Sequence, residues 1–165
     1  MNAGNFGRQA GMAAHLVDAG IKAPVLKLRI GGFDTHENQA SQHRDLLKDL
    51  GNGLNGLRSA LIQSGNWGNT LIMTYSEFGR RAVENDSGVT DHGTAAPHFL
   101  MSGALKGGLW GVHPDLGDLK EGDVQFTTDY RVVYDRVLSD WFGLNENRFA
   151  NFRSSKIDGL FDSKG

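Results

Sequence analysis

Leu46, Leu47, Leu50, Leu54, Leu57 and Leu61 recur at intervals of three and four, the apolar stripe of an amphipathic helix over residues 38–64. Gly51, Gly53 and Gly56 weaken that helix by about 1 kcal/mol each relative to alanine, and their smallness invites a neighbour to approach closely. Immediately before it, "APVLKLRIGG" alternates Leu26, Leu28 and Ile30 against Val25, Lys27 and Arg29, which predicts a strand with one buried face. Immediately after it, "NTLIMTY" is a short apolar run of the kind that fills an interior parallel strand. Strands separated by a helix must be joined by right-handed crossovers, so the order predicts an α/β fold: a parallel-sheet layered architecture with flanking helices.

The remaining elements extend that pattern. Phe6, Ala10, Ala13 and Val17 predict a helix over residues 5–19 stopped by Gly20, and "HFLMSGAL" predicts a third strand. "TTDYRVVYDRVLSDWFG" predicts a late helix, with caps among Thr127 to Asp129, a stripe of Tyr130, Val133, Val137 and Trp141, and an exit at Gly143. The polar stretch from Ser76 to Pro97 reads as an interruption of regular structure, and residues 145–165 as an irregular tail. With 165 residues and no repeat or linker, a single domain is expected.

Charge and composition exclude several functions. A net charge of −2, from 17 basic and 19 acidic residues mixed along the chain, gives no footprint for a nucleic-acid backbone. No apolar run approaches the ~20 residues that span a bilayer. Zero cysteines remove disulfides and thiolate metal sites, leaving His, Asp and Glu as the strong protein ligands. The 23 glycines gather in loops such as "NDSGVTDHGT" and "LKGGLWG", where function is expected; the latter lacks phosphate-loop spacing and reads as a turn.

Three clusters carry candidate chemistry: Asp34 with His36, Glu77 with Arg80 and Arg81, and Asp91 with His92. In open α/β sheets ligands bind beyond the carboxyl ends of strands, where "GGFDTH" and "SEFGRR" are expected to begin. Positions i and i+2 of an extended segment share a side, so Asp34 and His36 can grip one ion while Thr35 points away. Imidazole with carboxylate suits Zn2+ or a similar first-row ion. Each cluster also has an ordinary reading: a loop aspartate capping amides beside a surface histidine, Glu77 or Glu84 paired with an arginine, a turn at Asp91-His92-Gly93. Arg80 or Arg81 can clamp a phosphate or sulfate by forked hydrogen bonds. His98 reads equally as a hydrogen-bonded imidazole or a ligand, His15 and His43 as ordinary helix positions, and His113 as a turn residue.

"GGFDTHENQ", "LIMTYSEFGRR", "TDHGTAAPHFLMSGALKGGLWG" and "TTDYRVVYDRVLSDWFG" together resemble the bacterial family called domain of unknown function 1501, a sulfatase-like branch of the alkaline phosphatase superfamily. The resemblance covers nearly the whole chain. It implies an alkaline phosphatase-like parallel sheet whose C-terminal edge holds one or two metal ions beside a Ser or Thr nucleophile attacking phosphate or sulfate esters. Asp34, His36 and His92 then look like ligands of one metal, Glu77 falls where the superfamily has Asp-His, and Asp91 is either a ligand or orients His92. Two departures stand out: the spacing is Asp-x-His rather than Asp-x-x-x-His, and Glu77-Phe78 leaves a second metal one imidazole short. The superfamily's nucleophile comes from a preceding segment, so this chain is expected to be the C-terminal portion of a longer protein. The implied activity is metal-dependent hydrolysis of a small-molecule or glycan-type anionic ester, with a non-catalytic binding or scaffold domain as the alternative. Twin-arginine export signals in relatives imply a periplasmic or secreted full-length protein.

Overall fold

The computed structural model describes residues 4–144, 157 and 159–161. The chain divides into two compact units, Met1–Ile72 with Glu84–Thr90, and Met73–Val83 with Asp91–Gly165.

The first unit is built on two helices, α1 (Asn5–Asp18) and α2 (Gln39–Gln63), each within a residue or so of its expected bounds. Ala10, Ala13 and Ala14 of α1 meet Leu57 and Leu61 of α2, with Val17, Leu28, Ala60, Trp67 and Ile72 packed around them. Of the leucine stripe, Leu57 and Leu61 are buried whereas Leu47 is largely exposed. Small residues let the helix axes come close: a Cβ on Gly53 would collide with the buried ring of Phe6. The start of α1 is held from α2, since the Phe6 amide donates to the Asp49 carboxylate at 3.4 Å and a carboxylate is favourable at a helix N-terminus. Both helices stop in the same way. Gly20 and Gly65 adopt left-handed φ of 72°, and the next amide reaches back to close the last turn, Ile21 to Leu16 O at 3.1 Å and Asn66 to Leu61 O at 2.8 Å.

The strand expected at residues 23–32 is not formed. The segment runs without regular structure, Leu28 and Ile30 are half-buried, and Val25 is 71% exposed. Alternation alone does not make a strand; it needs a ladder. Here the Gln9 amide takes the place of a neighbouring strand at one residue, accepting from Arg29 N at 2.9 Å and donating to Arg29 O at 2.8 Å.

The polar stretch after Ser76 is more regular than expected. Strand β2 (Gly79–Glu84) pairs with β3 (Thr90–Gly93), and a connection this short permits only an antiparallel hairpin. The runs "NTLIMTY" and "HFLMSGAL" contribute only β1 (Ile72–Met73) and β4 (Leu100–Met101), which pair with each other. Strands β5 (Leu119–Lys120) and β6 (Asp123–Val124) pair antiparallel. Among the described residues the sheets are therefore three two-stranded pairs. Helix α3 (Tyr130–Arg136) passes into a π-helical turn, Val137–Trp141. Of the expected stripe Val137 is buried but Tyr130 is exposed, and Val132 and Asp135 are buried instead. The tail expected from residue 145 lies largely outside the described residues. Within it Ile157 and Leu160 are buried, and Phe161 bridges antiparallel to Leu105.

Asp129 caps α3 by accepting from Arg131 N at 2.9 Å, and the Arg131 side chain returns to the same carboxylate at 2.8 Å. That side-chain hydrogen bond, opposed by partial burial, holds the Asp129 carboxyl below the usual carboxylate range. A depressed folded-state pKa contributes stability above the unfolded value and loses it as the pH falls below about 4. Asp129→Ala is expected to cost about 1 kcal/mol at neutral pH in urea unfolding, with the deficit shrinking in acid. Gly51→Ala, whose Cβ meets open space, is expected to raise stability by about 1 kcal/mol, whereas Gly53→Ala lowers it by about 1–3 kcal/mol in the same assay.

Candidate functional site

The loop from Gly31 to Asn38 leads from the extended segment into α2. Thr35 is buried at 3% exposure, whereas the Asp34 and His36 side chains are 57% and 83% exposed. The alternation of an extended backbone thus turns the two candidate ligands to the same, solvent side, where His36 Nε2 and Asp34 Oδ1 lie 3.5 Å apart. The first turn of α2 fastens this loop. His43 Nε2 sits 3.1 Å from both the Phe33 carbonyl and the Thr35 hydroxyl, and its ring meets the Phe33 ring edge-on at 5.4 Å. Gln42 Nε2 donates to the Glu37 carbonyl at 2.9 Å. Gln39 Oε1 accepts from the amide and hydroxyl of Thr90 at 3.0 and 3.1 Å, tying the same turn to the tip of the hairpin.

The second unit holds the other candidates. Phe78 lies at the entrance to β2 and His92 on β3; their rings stack at 3.9 Å with an interplanar angle of 9°, and the Arg80 guanidinium lies 5.3 Å from the Phe78 ring. Gly79 sits between Phe78 and Arg80 where any side chain would strike the Ala95 carbonyl, so the backbone there packs closer than other residues allow. Glu77 and Asp91 are exposed. Beyond His92, the Asp123 carboxylate of β6 accepts from the Thr94 amide at 3.0 Å. His98 is exposed and its Nδ1 lies 3.1 Å from the Thr74 carbonyl; a carbonyl only accepts, so Nδ1 carries the proton. His113 Nδ1 likewise meets the Pro114 carbonyl at 2.8 Å in a turn.

The structure therefore brings together Asp34 with His36 in one unit, and His92 with Arg80 around Phe78 in the other. Among the described residues no group of three or more His, Asp or Glu side chains is placed to hold a metal ion. No helix among them is long and apolar enough to cross a membrane. A family model described as "Protein of unknown function (DUF1501)" matches residues 1–150. The chain belongs to this family. No curated protein and no solved structure matches it.

Sequence reasoning on this DUF1501 chain missed His43, Gln39, Phe78 and Asp123. Phe78 reads from sequence as a lost imidazole, yet its ring is what joins His92 to Arg80. Only the hairpin carried a signal for it, in the strand-capable "RRAVE" run before the Asn85–Gly88 turn. Stacking at this separation places the His92 ring protons over an aromatic face. They are expected to resonate upfield of an unstacked histidine and to move downfield in Phe78→Leu, as read by two-dimensional NMR of the imidazole protons.

Proposed function

We propose that this chain is part of a divalent-metal-dependent hydrolase acting on phosphate or sulfate esters, with Asp34 and His36 as the paired ligands. The observation that carries the reading is the outward-facing pair itself. Two ligand atoms at ordinary Zn2+ bond lengths on a tetrahedral ion lie about 3.4 Å apart, and Nε2 and Oδ1 are separated by 3.5 Å. Donor types, spacing and exposure thus fit an ion such as Zn2+, with room for a substrate on the solvent side. Such an ion would polarise an ester oxygen and shield developing negative charge. The reading extends to the family resemblance: an alkaline phosphatase-like layered sheet, a periplasmic or secreted protein, and a small-molecule or glycan-type anionic ester as substrate.

In this reading His92, Asp91 and Glu77 are candidate ligands within the second unit, and Arg80 is a candidate oxyanion-binding group there. Supporting it, Arg80 and His92 on one hairpin both lie against the Phe78 ring. No Ser or Thr of residues 1–165 is assigned as the nucleophile.

A second reading, a non-catalytic binding or scaffold domain, is favoured by one observation. Among the described residues Asp34 and His36 are joined by no third ligand, and the place of an expected imidazole is taken by Phe78, stacked on His92.

Mass spectrometry of protein equilibrated with Zn2+ and then desalted is expected to find about one ion per chain in the wild type and a several-fold lower content in His36→Ala. Equal content in the two, or none in either, contradicts the first reading. With metal bound, turnover of aryl phosphate or aryl sulfate esters that His36→Ala abolishes supports hydrolysis; bound metal without turnover supports the scaffold.

A further inference from the structure

The convergence of Asp34 and His36 is not a property of the Asp-x-His sequence alone. Two side chains at i and i+2 share a side only while the intervening backbone stays extended, and their tips meet only if the peptide planes on both sides of residue 34 are held. In a glycine-led loop such as "GGFDTH" those planes are otherwise free to turn. Fixing them requires contacts on the face opposite the ligands.

We propose that His43 is a positioning residue for the Asp34–His36 pair, fixing the loop from behind; the assignment rests on the metal-binding reading above. One ring nitrogen faces two groups of the loop and donates its single proton to one of them. A carbonyl can only accept, so His43 Nε2 donates to the Phe33 oxygen at 3.1 Å, which holds the peptide plane entering Asp34. The same nitrogen lies 3.1 Å from the hydroxyl of buried Thr35, so the ring also packs against the residue between Asp34 and His36. The ring itself is set by its edge-on contact with Phe33 and by its place on α2, one turn after Gln39.

Beyond His36, Gln42 repeats the device by donating to the Glu37 carbonyl at 2.9 Å. Asp34 and His36 are thus bracketed by two side chains, His43 and Gln42, near the start of a helix whose far end is buried against α1. A purely apolar residue at position 43 would fill the space. It would remove the hydrogen bond to the Phe33 carbonyl and the polar contact with Thr35, and with them a restraint on the backbone on either side of Asp34. Groups hydrogen-bonded directly to metal ligands typically alter metal affinity by about 10–100-fold; His43 acts through the backbone beside them, so the lower end of that range is expected.

Titration calorimetry with Zn2+ alone tests the assignment on wild type, His43→Ala, His43→Leu, His43→Gln, His36→Ala and the His36→Ala/His43→Ala pair. Glutamine is chosen because its amide nitrogen can stand where Nε2 stands. Expected are about tenfold or greater weakening in His43→Ala and His43→Leu, recovery to near the wild-type affinity in His43→Gln, and no additional loss when His43→Ala is added to His36→Ala. Leucine keeps the volume, so it carries the comparison if the alanine variant does not fold. Wild-type affinity in His43→Leu, or equal weakening in His43→Leu and His43→Gln, overturns the assignment while leaving the metal reading intact. Absence of Zn2+ binding in the wild type overturns both.

Discussion

The closest approach between α1 and α2, where the buried ring of Phe6 lies against Gly53, sets the frame on which the candidate ligands depend. The contact demands glycine at a position where helix propensity alone would favour almost anything else. It lets Ala10, Ala13 and Ala14 interdigitate with Leu57 and Leu61, and it brings Asp49 to the start of α1. Helix α2 is thereby fixed in its second half and presents its first turn as a stable platform.

From that platform Gln39, Gln42 and His43 reach three separate pieces of loop and hairpin backbone. Side-chain to backbone bonds of this type are the usual substitute for a sheet ladder where a chain leaves regular structure. Gln9 does the same at Arg29, so polar side chains on two helices, rather than neighbouring strands, hold the path from residue 29 to residue 38. Function is carried where this scaffold leaves side chains exposed. In the other unit a hairpin replaces the helix platform, and Phe78 supplies an aromatic surface against which His92 and Arg80 are ordered.

The helices of the first unit were legible almost to the residue, because the spacing of Phe6, Ala10, Ala13, Leu57 and Leu61 and the stop at Gly20 are local signals. Strands were less legible. The alternation around Leu28 is present, but whether a ladder forms depends on partners no local pattern encodes, and here the partner is a single glutamine amide. The β2–β3 hairpin was hidden because Arg80, Arg81 and Glu84 made a strand look like a polar loop. In α3 the helix and the burial of Val137 were legible, but the buried face before it falls on Val132 and Asp135 rather than on Tyr130 and Val133. The opposed orientations of Thr35 and its neighbours followed from the two-residue period alone. What fixes those orientations, a histidine eight positions later on a helix, carries no motif.

The central claim is that a loop clasped from behind presents Asp34 and His36 as a ready pair for a divalent ion. The most direct measurement is anomalous diffraction at the zinc edge from crystals grown or soaked with Zn2+. The account predicts a peak bound by both Oδ1 of Asp34 and Nε2 of His36, at about 2.0–2.2 Å from each. Zinc density elsewhere on the molecule, with those two side chains turned apart, would contradict it.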